Sequence, residues 1–298
     1  MQRQKFAALA SRQLESIRAC LSLPAASSSA VSNAGTRAIV GCLLRRPRVA
    51  AREEKEDDHH SLDCLYILRA VTEKKNRWSG HVAFPGGHSE VGETDEDTLF
   101  REVKEEIGLD MKSHKDGITY LGALQPKTVP RTDQEAMELI CRVYYLHDTA
   151  LAHSDLSLQD DEIAASCWCP LSAVCNLDER VPYGGESPWK AFPSVCLPIR
   201  DKHLKIGDRA ASLRTTHDIK SRFKLWGLTL AMCDELLTRA GLMFSHSRGI
   251  FDNGFTLKPG VDATEATPAV RGWDSDAILP HEMHSGNFYK EARRRNKL

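Results

Sequence analysis

The sequence predicts an α/β domain with a mixed sheet, on three observations. Short apolar runs bounded by polar or proline-containing stretches recur along the chain, one segment among them carries both helix-start and helix-stop signals, and an apolar pattern at helical spacing closes the series. The chain has 298 residues, 41% hydrophobic and 27% charged, close to globular averages, which suits one large domain with appendages and argues against a fibrous repeat or wholesale disorder. Forty Lys plus Arg against forty-one Asp plus Glu leave a formal charge of -1. No global basic field therefore draws the molecule onto nucleic acid or an acidic membrane, and any phosphate binding must be local. No apolar run approaches the length of a membrane span, so a soluble protein is expected.

Taken in order, residues 1–34 read as an N-terminal helix and linker, or as a targeting segment, because they are rich in Ala and Ser and carry Arg3, Lys5, Arg12 and Arg18 against the single acid Glu15. Ala38 to Leu44 and Leu62 to Leu68 read as strands, with the charge run Arg52 to His60 as a solvated loop between them. Thr94 followed three residues later by Asp97, acids in the first turn and Gly108 at the end predict a helix over Asp95 to Ile107. Further strands are expected at Tyr120 to Leu124, Leu139 to Leu146, Ala165 to Trp168 and Phe192 to Ile199, and a closing helix within Lys224 to Ala240. The domain is thus placed at 35–242, followed by a polar tail at 243–298. Nine scattered cysteines without a Cys-x-x-Cys pair argue against a disulfide framework or zinc site and suit buried thiols in an intracellular compartment.

The chemistry is concentrated in Gly86-Gly87-His88-Ser89-Glu90-Val91-Gly92-Glu93 and the helix after it. Leu99, Val103 and Ile107 form an apolar stripe, and Glu102, Glu105 and Glu106 are expected to share an adjacent, intensely negative face. Such crowding is relieved by a divalent cation with hard oxygen ligands, or else by solvent on an ordinary acidic face. The wider spacing is more specific. Gly87, five residues, Glu93, seven residues, then Arg101-Glu102-Val103-Lys104-Glu105-Glu106-Ile107-Gly108-Leu109 resembles the complete box of the Nudix hydrolase superfamily. The resemblance implies an α/β/α sandwich with a mixed sheet, Mg²⁺ or Mn²⁺ held by Glu102, Glu105 and Glu106, an Arg101–Glu93 pair that orients helix and loop, and hydrolysis of a nucleoside diphosphate derivative. Glu105 or Glu106 is then the expected helper for the attacking water, which makes Glu93, Arg101, Glu105 and Glu106 the catalytic set.

Gly80, three residues, then Phe84-Pro85-Gly86-Gly87 resembles the coenzyme A diphosphatase branch, as do Trp168-Cys169-Pro170-Leu171 and Leu225-Trp226-Gly227-Leu228-Thr229. It implies coenzyme A or acyl-coenzyme A as substrate, met by Arg69, Arg77, Gly86 and Gly87. The upstream pattern departs from that branch at Leu65-Tyr66-Ile67, with Arg69 one residue early and Asn76 in place of a second arginine. ADP-ribose, NADH or a dinucleotide therefore remain alternatives, as does a binding module without turnover. Trp78, Trp168 and Trp226 are expected in the core more than against a base. His81 and His88 are expected to brace the loop, Lys74, Lys75, Arg77 and Arg131 to be solvent-exposed or to hold a phosphate, and Glu162 to be a further metal ligand or base. Asn296-Lys297-Leu298 resembles a peroxisomal address with its first residue changed, against mitochondrion or cytoplasm as other locations.

Overall fold

In a computed structural model of the chain, residues 2–21, 36–47, 62–71, 78–129, 136–175 and 194–242 are described. Lys74, Lys75, Arg77, Arg131 and Asn296-Lys297-Leu298, with the tail and the charge run, lie outside the described residues. The elements are α1 (Gln2–Leu21), β1 (Arg37–Arg45), β2 (Asp63–Arg69), β3 (Val82–Ala83), β4 (Gly86–His88), α2 (Asp95–Ile107), β5 (Ile118–Ala123), β6 (Lys127–Val129) and β7 (Met137–Leu146). They continue with α3 (Thr149–Ala152), β8 (Ile163–Pro170), β9 (Ser194–Cys196), β10 (Leu204–Ile206), α4 (Asp208–Leu213), α5 (Thr216–Lys220), β11 (Lys224–Trp226) and α6 (Gly227–Arg239).

The main sheet runs β10-β8-β2-β1-β7-β5, with β3 beside β2, β4 beside β1 and β6 beside β7. β1 and β7 are parallel from Arg37↔Glu138 to Arg45↔Leu146, whereas β1 meets β2 and β4 antiparallel, so the sheet is mixed. β1 is covered on both faces, which is why Ala38 to Leu44 reads as a nearly unbroken apolar run. Alternate residues then face two cores. Ile39, Leu43, Leu65 and Ile67 pack with Leu99, Val103 and Ile107 of α2, while Cys42, Leu44, Tyr66 and Leu68 pack with Ile17 and Leu21 of α1 and with Leu230, Leu236 and Leu237 of α6. The result is an α/β/α sandwich with a mixed sheet.

α2 has the predicted bounds. The Thr94 hydroxyl accepts from the Asp97 N–H at 3.1 Å, the Asp97 carboxylate accepts from the Thr94 N–H, and Gly108 takes φ 73° as its N–H donates to the Lys104 carbonyl. α1 is a helix docked on the domain, with Ile17 fully buried and the Leu62 N–H donating to Gln13. Two expectations are corrected at the far end. The strand expected at Phe192 to Ile199 is observed over Ser194–Cys196 and gives way before Leu197, and Lys224–Trp226, assigned by periodicity to the closing helix, is the strand that pairs with it. The helix starts only at Gly227, whose φ of 60° turns the chain out of the strand. The eight cysteines whose side chains are described are free, six of them buried.

Opposite Trp168, on the cross-strand pair Arg45↔Asp63, a nearly dry ion pair forms: Arg45 Nε lies 3.5 Å from Asp63 Oδ2 and its guanidinium sits 4.1 Å above the Trp168 ring. Burial pushes the Asp63 carboxyl up to about 6, only partly offset by Arg45. Its folded pKa is thus above its unfolded one, so the folded state binds the extra proton between about pH 4 and 6 and stability from this group is lost as pH rises through that window. Asp63→Asn should flatten that part of the melting-temperature profile. An identical profile in the variant would show that Asp63 does not titrate there.

Candidate active site

The site is assembled where β4 passes over α2, and two adjacent glycines allow the approach. Gly86 has φ 138°, and a Cβ there would fall on the Ile39 carbonyl oxygen and 2.7 Å from Val40 Cα. A Cβ on Gly87 would lie 2.5 Å from the Glu102 carboxylate. With both hydrogens in place, the Gly86 N–H donates at 2.8 Å to Glu106, whose side chain is 2% exposed. Glu106 thereby ties the glycine loop to the helix.

Arg101 organises the outer side. Its Nε and Nη2 grip the two Glu93 oxygens at 2.7 and 3.0 Å, its Nη1 reaches Glu102 at 2.9 Å and Glu105 at 3.2 Å, and its Nη2 also donates to the His88 carbonyl. Glu93 further accepts from the Thr98 hydroxyl and the Glu90 N–H. The Arg101 hydrogen bonds hold the Glu93 carboxyl down at about 2 and, reciprocally, raise the guanidinium.

A third component comes from β2. The β2–β8 register shifts between Leu68 and Arg69, leaving Ala164 of β8 without a partner on β2. Arg69 follows Leu65 and Ile67 on the face of β2 that meets α2, and its Nη1 lies 3.5 Å from Glu106 Oε1. Its backbone is clamped: the Arg69 N–H donates to His81, its carbonyl accepts from Gly80, and the next N–H donates to the Glu162 carbonyl. Burial raises the Glu106 carboxyl to about 8, with Gly86 and Arg69 pulling it down and Glu102 and Glu162 adding to the rise. Burial likewise raises Glu102, Arg101 lowers it, and Glu105 and Glu162 raise it further. Glu102, Glu105, Glu106 and Glu162 thus bear on one another, with Glu106 and Glu102 in the drier part of the site.

Residues 44–188 match the family model described as NUDIX domain. The chain carries a Nudix domain. The matched segment includes the loop, helix and loop that carry Glu93, Arg101, Glu102, Glu105 and Glu106. An uncharacterized protein of Schizosaccharomyces pombe is 31% identical over 114 residues, covering 38% of this chain and 33% of that protein, so the chain spans about a third of the length of that relative. An isopentenyl-diphosphate Delta-isomerase of Escherichia coli is 28% identical over 144 residues, covering 46% of this chain and 71% of that protein. Among solved structures, the NUDIX domain of Shewanella oneidensis NrtR complexed with ADP ribose is similar with a TM-score of 0.33 at 16% identity, covering 48% of this chain and 77% of that one. A score this low carries nothing about substrate or mechanism.

Nudix hydrolases use divalent cations, and the donor set here suits one: hard carboxylate oxygens, with Glu102 and Glu106 raised by burial first and by neighbouring glutamates after it. Among the described residues, however, no three His, Cys, Asp or Glu side chains are gathered as a ready metal cage. The expected shared face of Glu102, Glu105 and Glu106 is also corrected. Glu105 has a side chain 55% exposed and, with Glu102, is held by Arg101, whereas Glu106 points into the interior. The signal for this was present in the sequence, because Glu106 lies three residues after Val103 and seven after Leu99, on the apolar stripe itself.

Of the remaining candidates, Trp168 and Trp226 are buried, and His81 packs edge-on against Trp226 at 4.8 Å. Burial, with Arg69 nearby, brings His81 down to about 4, so it stays neutral at pH 7 and offers phosphate no positive charge. His88 takes part through its carbonyl. Sequence reasoning missed Arg37, which anchors the start of the Nudix helix through Asp95 at 3.1 Å and is braced by Glu138 at 3.0 Å; a lone arginine at a strand start carries no such signal.

Arg101→Ala in the Nudix domain should lower both turnover and melting temperature. It frees Glu102 and Glu105 and leaves the half-buried Glu93 carboxylate without its bidentate partner, a loss of about 1–3 kcal/mol. Unchanged turnover and melting temperature would show that the pair is incidental.

Proposed function

We propose that the chain hydrolyses the diphosphate bond of coenzyme A or an acyl-coenzyme A with Mg²⁺ or Mn²⁺, giving 3′,5′-ADP and (acyl-)4′-phosphopantetheine. The observation that carries the reading is the placement of Glu102 beside Gly87 and of Glu106 on the Gly86 N–H and the Arg69 guanidinium, with Arg101 tying Glu102 to the exposed Glu105. Glu102, Glu105 and Glu106 would hold the divalent cation, which would supply charge neutralisation at the diphosphate and a more acidic water. The chain's own part is positioning and proton handling. Arg101 orients Glu102 and Glu105, the exposed Glu105 is within reach of water as proton acceptor, and Arg69 offers a fixed cation to the substrate.

The departure from the coenzyme A pattern weighs less than the sequence alone suggests. Leu65, Tyr66 and Ile67 are fully buried, and Tyr66 stacks on Phe84 at 5.6 Å, so the altered positions pack the core and do not meet a substrate. Arg69, one position early, still meets Glu106 because it shares the α2-facing side of β2 with Leu65 and Ile67. A second reading keeps the chemistry and takes ADP-ribose, NADH or a dinucleotide, since the displaced Arg69 is, among the described positions of the pattern, the one that meets the glutamates. The experiment is a substrate panel with Mg²⁺ and chromatographic product analysis, including isopentenyl diphosphate because of the isomerase relatives. Highest kcat/KM on coenzyme A or an acyl-coenzyme A with release of 3′,5′-ADP is the expected result. Faster cleavage of ADP-ribose or NADH promotes the second reading, and no turnover of any member points to a binding module.

A further inference from the structure

Beside the glutamates lies a cleft that the Nudix box does not account for. It is bounded by the end of β2, the turn at Gly80, the residues leading into β8 and the α4–α5 unit, and it encloses about 80 Å³. A single water needs about 10–15 Å³, so the space admits a group of several non-hydrogen atoms. Four arginines line it, Arg69, Arg209, Arg214 and Arg222, against the single carboxylate of Asp160. Its apolar walls include Leu68 and Ile219, both buried, and two of its arginines already face a carboxylate, Arg69 at Glu106 and Arg209 at Asp161.

The arginines are held in place by local structure. The Gly207 N–H donates to Ala164 and sets α4 on β8, while Arg209 reaches Asp161 at 2.7 Å, one residue before Glu162. The Arg214 N–H closes α4 on Ala210, and Thr215 and Asp218 form a capping box that starts α5 in the next residue. The Arg222 N–H donates to Ile219 in the turn that follows α5. Arg209 on α4, Arg214 just after it and Arg222 just after α5 thus line one cleft, and guanidinium groups suit phosphate because they donate in a planar fork.

The fourth arginine joins the cleft to the catalytic centre. Arg69 lines the cleft and also lies 3.5 Å from Glu106. An anion in the cleft and a diphosphate at the carboxylates would therefore flank the same side chain. We propose that the Arg69, Arg209, Arg214 and Arg222 cleft is a second anion subsite, one that takes a phosphate monoester carried by the substrate in addition to the diphosphate being cleaved. The subsite deepens the diphosphatase reading and rests on it for the identity of the rest of the substrate.

The test is direct binding to the full chain, which needs no turnover. By titration calorimetry at low salt, adenosine 3′,5′-bisphosphate should bind about tenfold more tightly than adenosine 5′-monophosphate, and the advantage should shrink as salt is raised. The double variant Arg214→Ala, Arg222→Ala should bring the two affinities to within about twofold of each other. The single variant Arg214→Gln, at an exposed position, should narrow the gap in the same direction and serves if the double variant melts early. Equal affinities in the unaltered protein, or a preference that survives these substitutions, would overturn the subsite. A bisphosphate preference that is lost in the variants, alongside a failure to cleave coenzyme A, would retain the subsite and remove only the proposed substrate.

Discussion

Glu105→Gln should lower kcat by about a hundredfold or more and leave the melting temperature unchanged. The two halves of this expectation have separate causes. The Glu105 side chain is 55% exposed and its described contact is the i,i+4 bridge to Arg101, a class of pair worth about 0.3–0.5 kcal/mol, so the fold scarcely depends on it. Its charge, on the other hand, is what a divalent cation or an attacking water would use, and the amide keeps the shape while removing that charge. Glu106→Gln is a less clean experiment, because Glu106 also accepts the Gly86 N–H in the interior. Steady-state turnover with Mg²⁺ and a thermal melt on the same preparation decide the matter. Near-normal turnover in Glu105→Gln would remove this residue from the catalytic set.

Gly86→Ala and Gly87→Ala should fail in opposite ways although the positions are adjacent. At Gly86 a methyl group meets backbone, the Ile39 carbonyl and Val40 Cα, and the φ of 138° is one that alanine avoids, so a loss of about 3–5 kcal/mol is expected from strain and overlap together. At Gly87 the methyl meets only the far end of the Glu102 side chain, 2.5 Å away, which can swing aside. That variant should fold, and its turnover should fall because Glu102 is displaced. Denaturant unfolding of both variants, read with activity, separates the cases. A wild-type unfolding midpoint for Gly86→Ala would mean that β4 does not lie against β1 as described.

The Nudix box was legible because its parts are local. Thr94, Asp97 and Gly108 satisfy the ends of α2 within a few residues, and Glu93 and Arg101 are brought together by the same short turn and helix. The closing segment was misread for a related reason: Leu225 and Leu228 fit a helical period, but three residues of pairing with Ser194–Cys196 claim Leu225 for a strand, and local spacing does not contain that partner.

The sequence by itself determined the α/β class, the bounds of α2, the glycine, glutamate and arginine spacing and the apolar stripe, since each depends on hydrogen bonds or side-chain neighbours within one or two turns. Tertiary structure decided the rest. The parallel pairing of β1 with β7, the contact of Arg69 with Glu106 and the meeting of Arg209, Arg214 and Arg222 with Arg69 all join segments far apart in the chain. Such contacts form only after long loops close, and they are chosen by which apolar faces can be buried together, a property of the whole packed sheet. It is that packing which makes Glu106 a buried anchor and leaves Glu105, one residue before it, open to solvent.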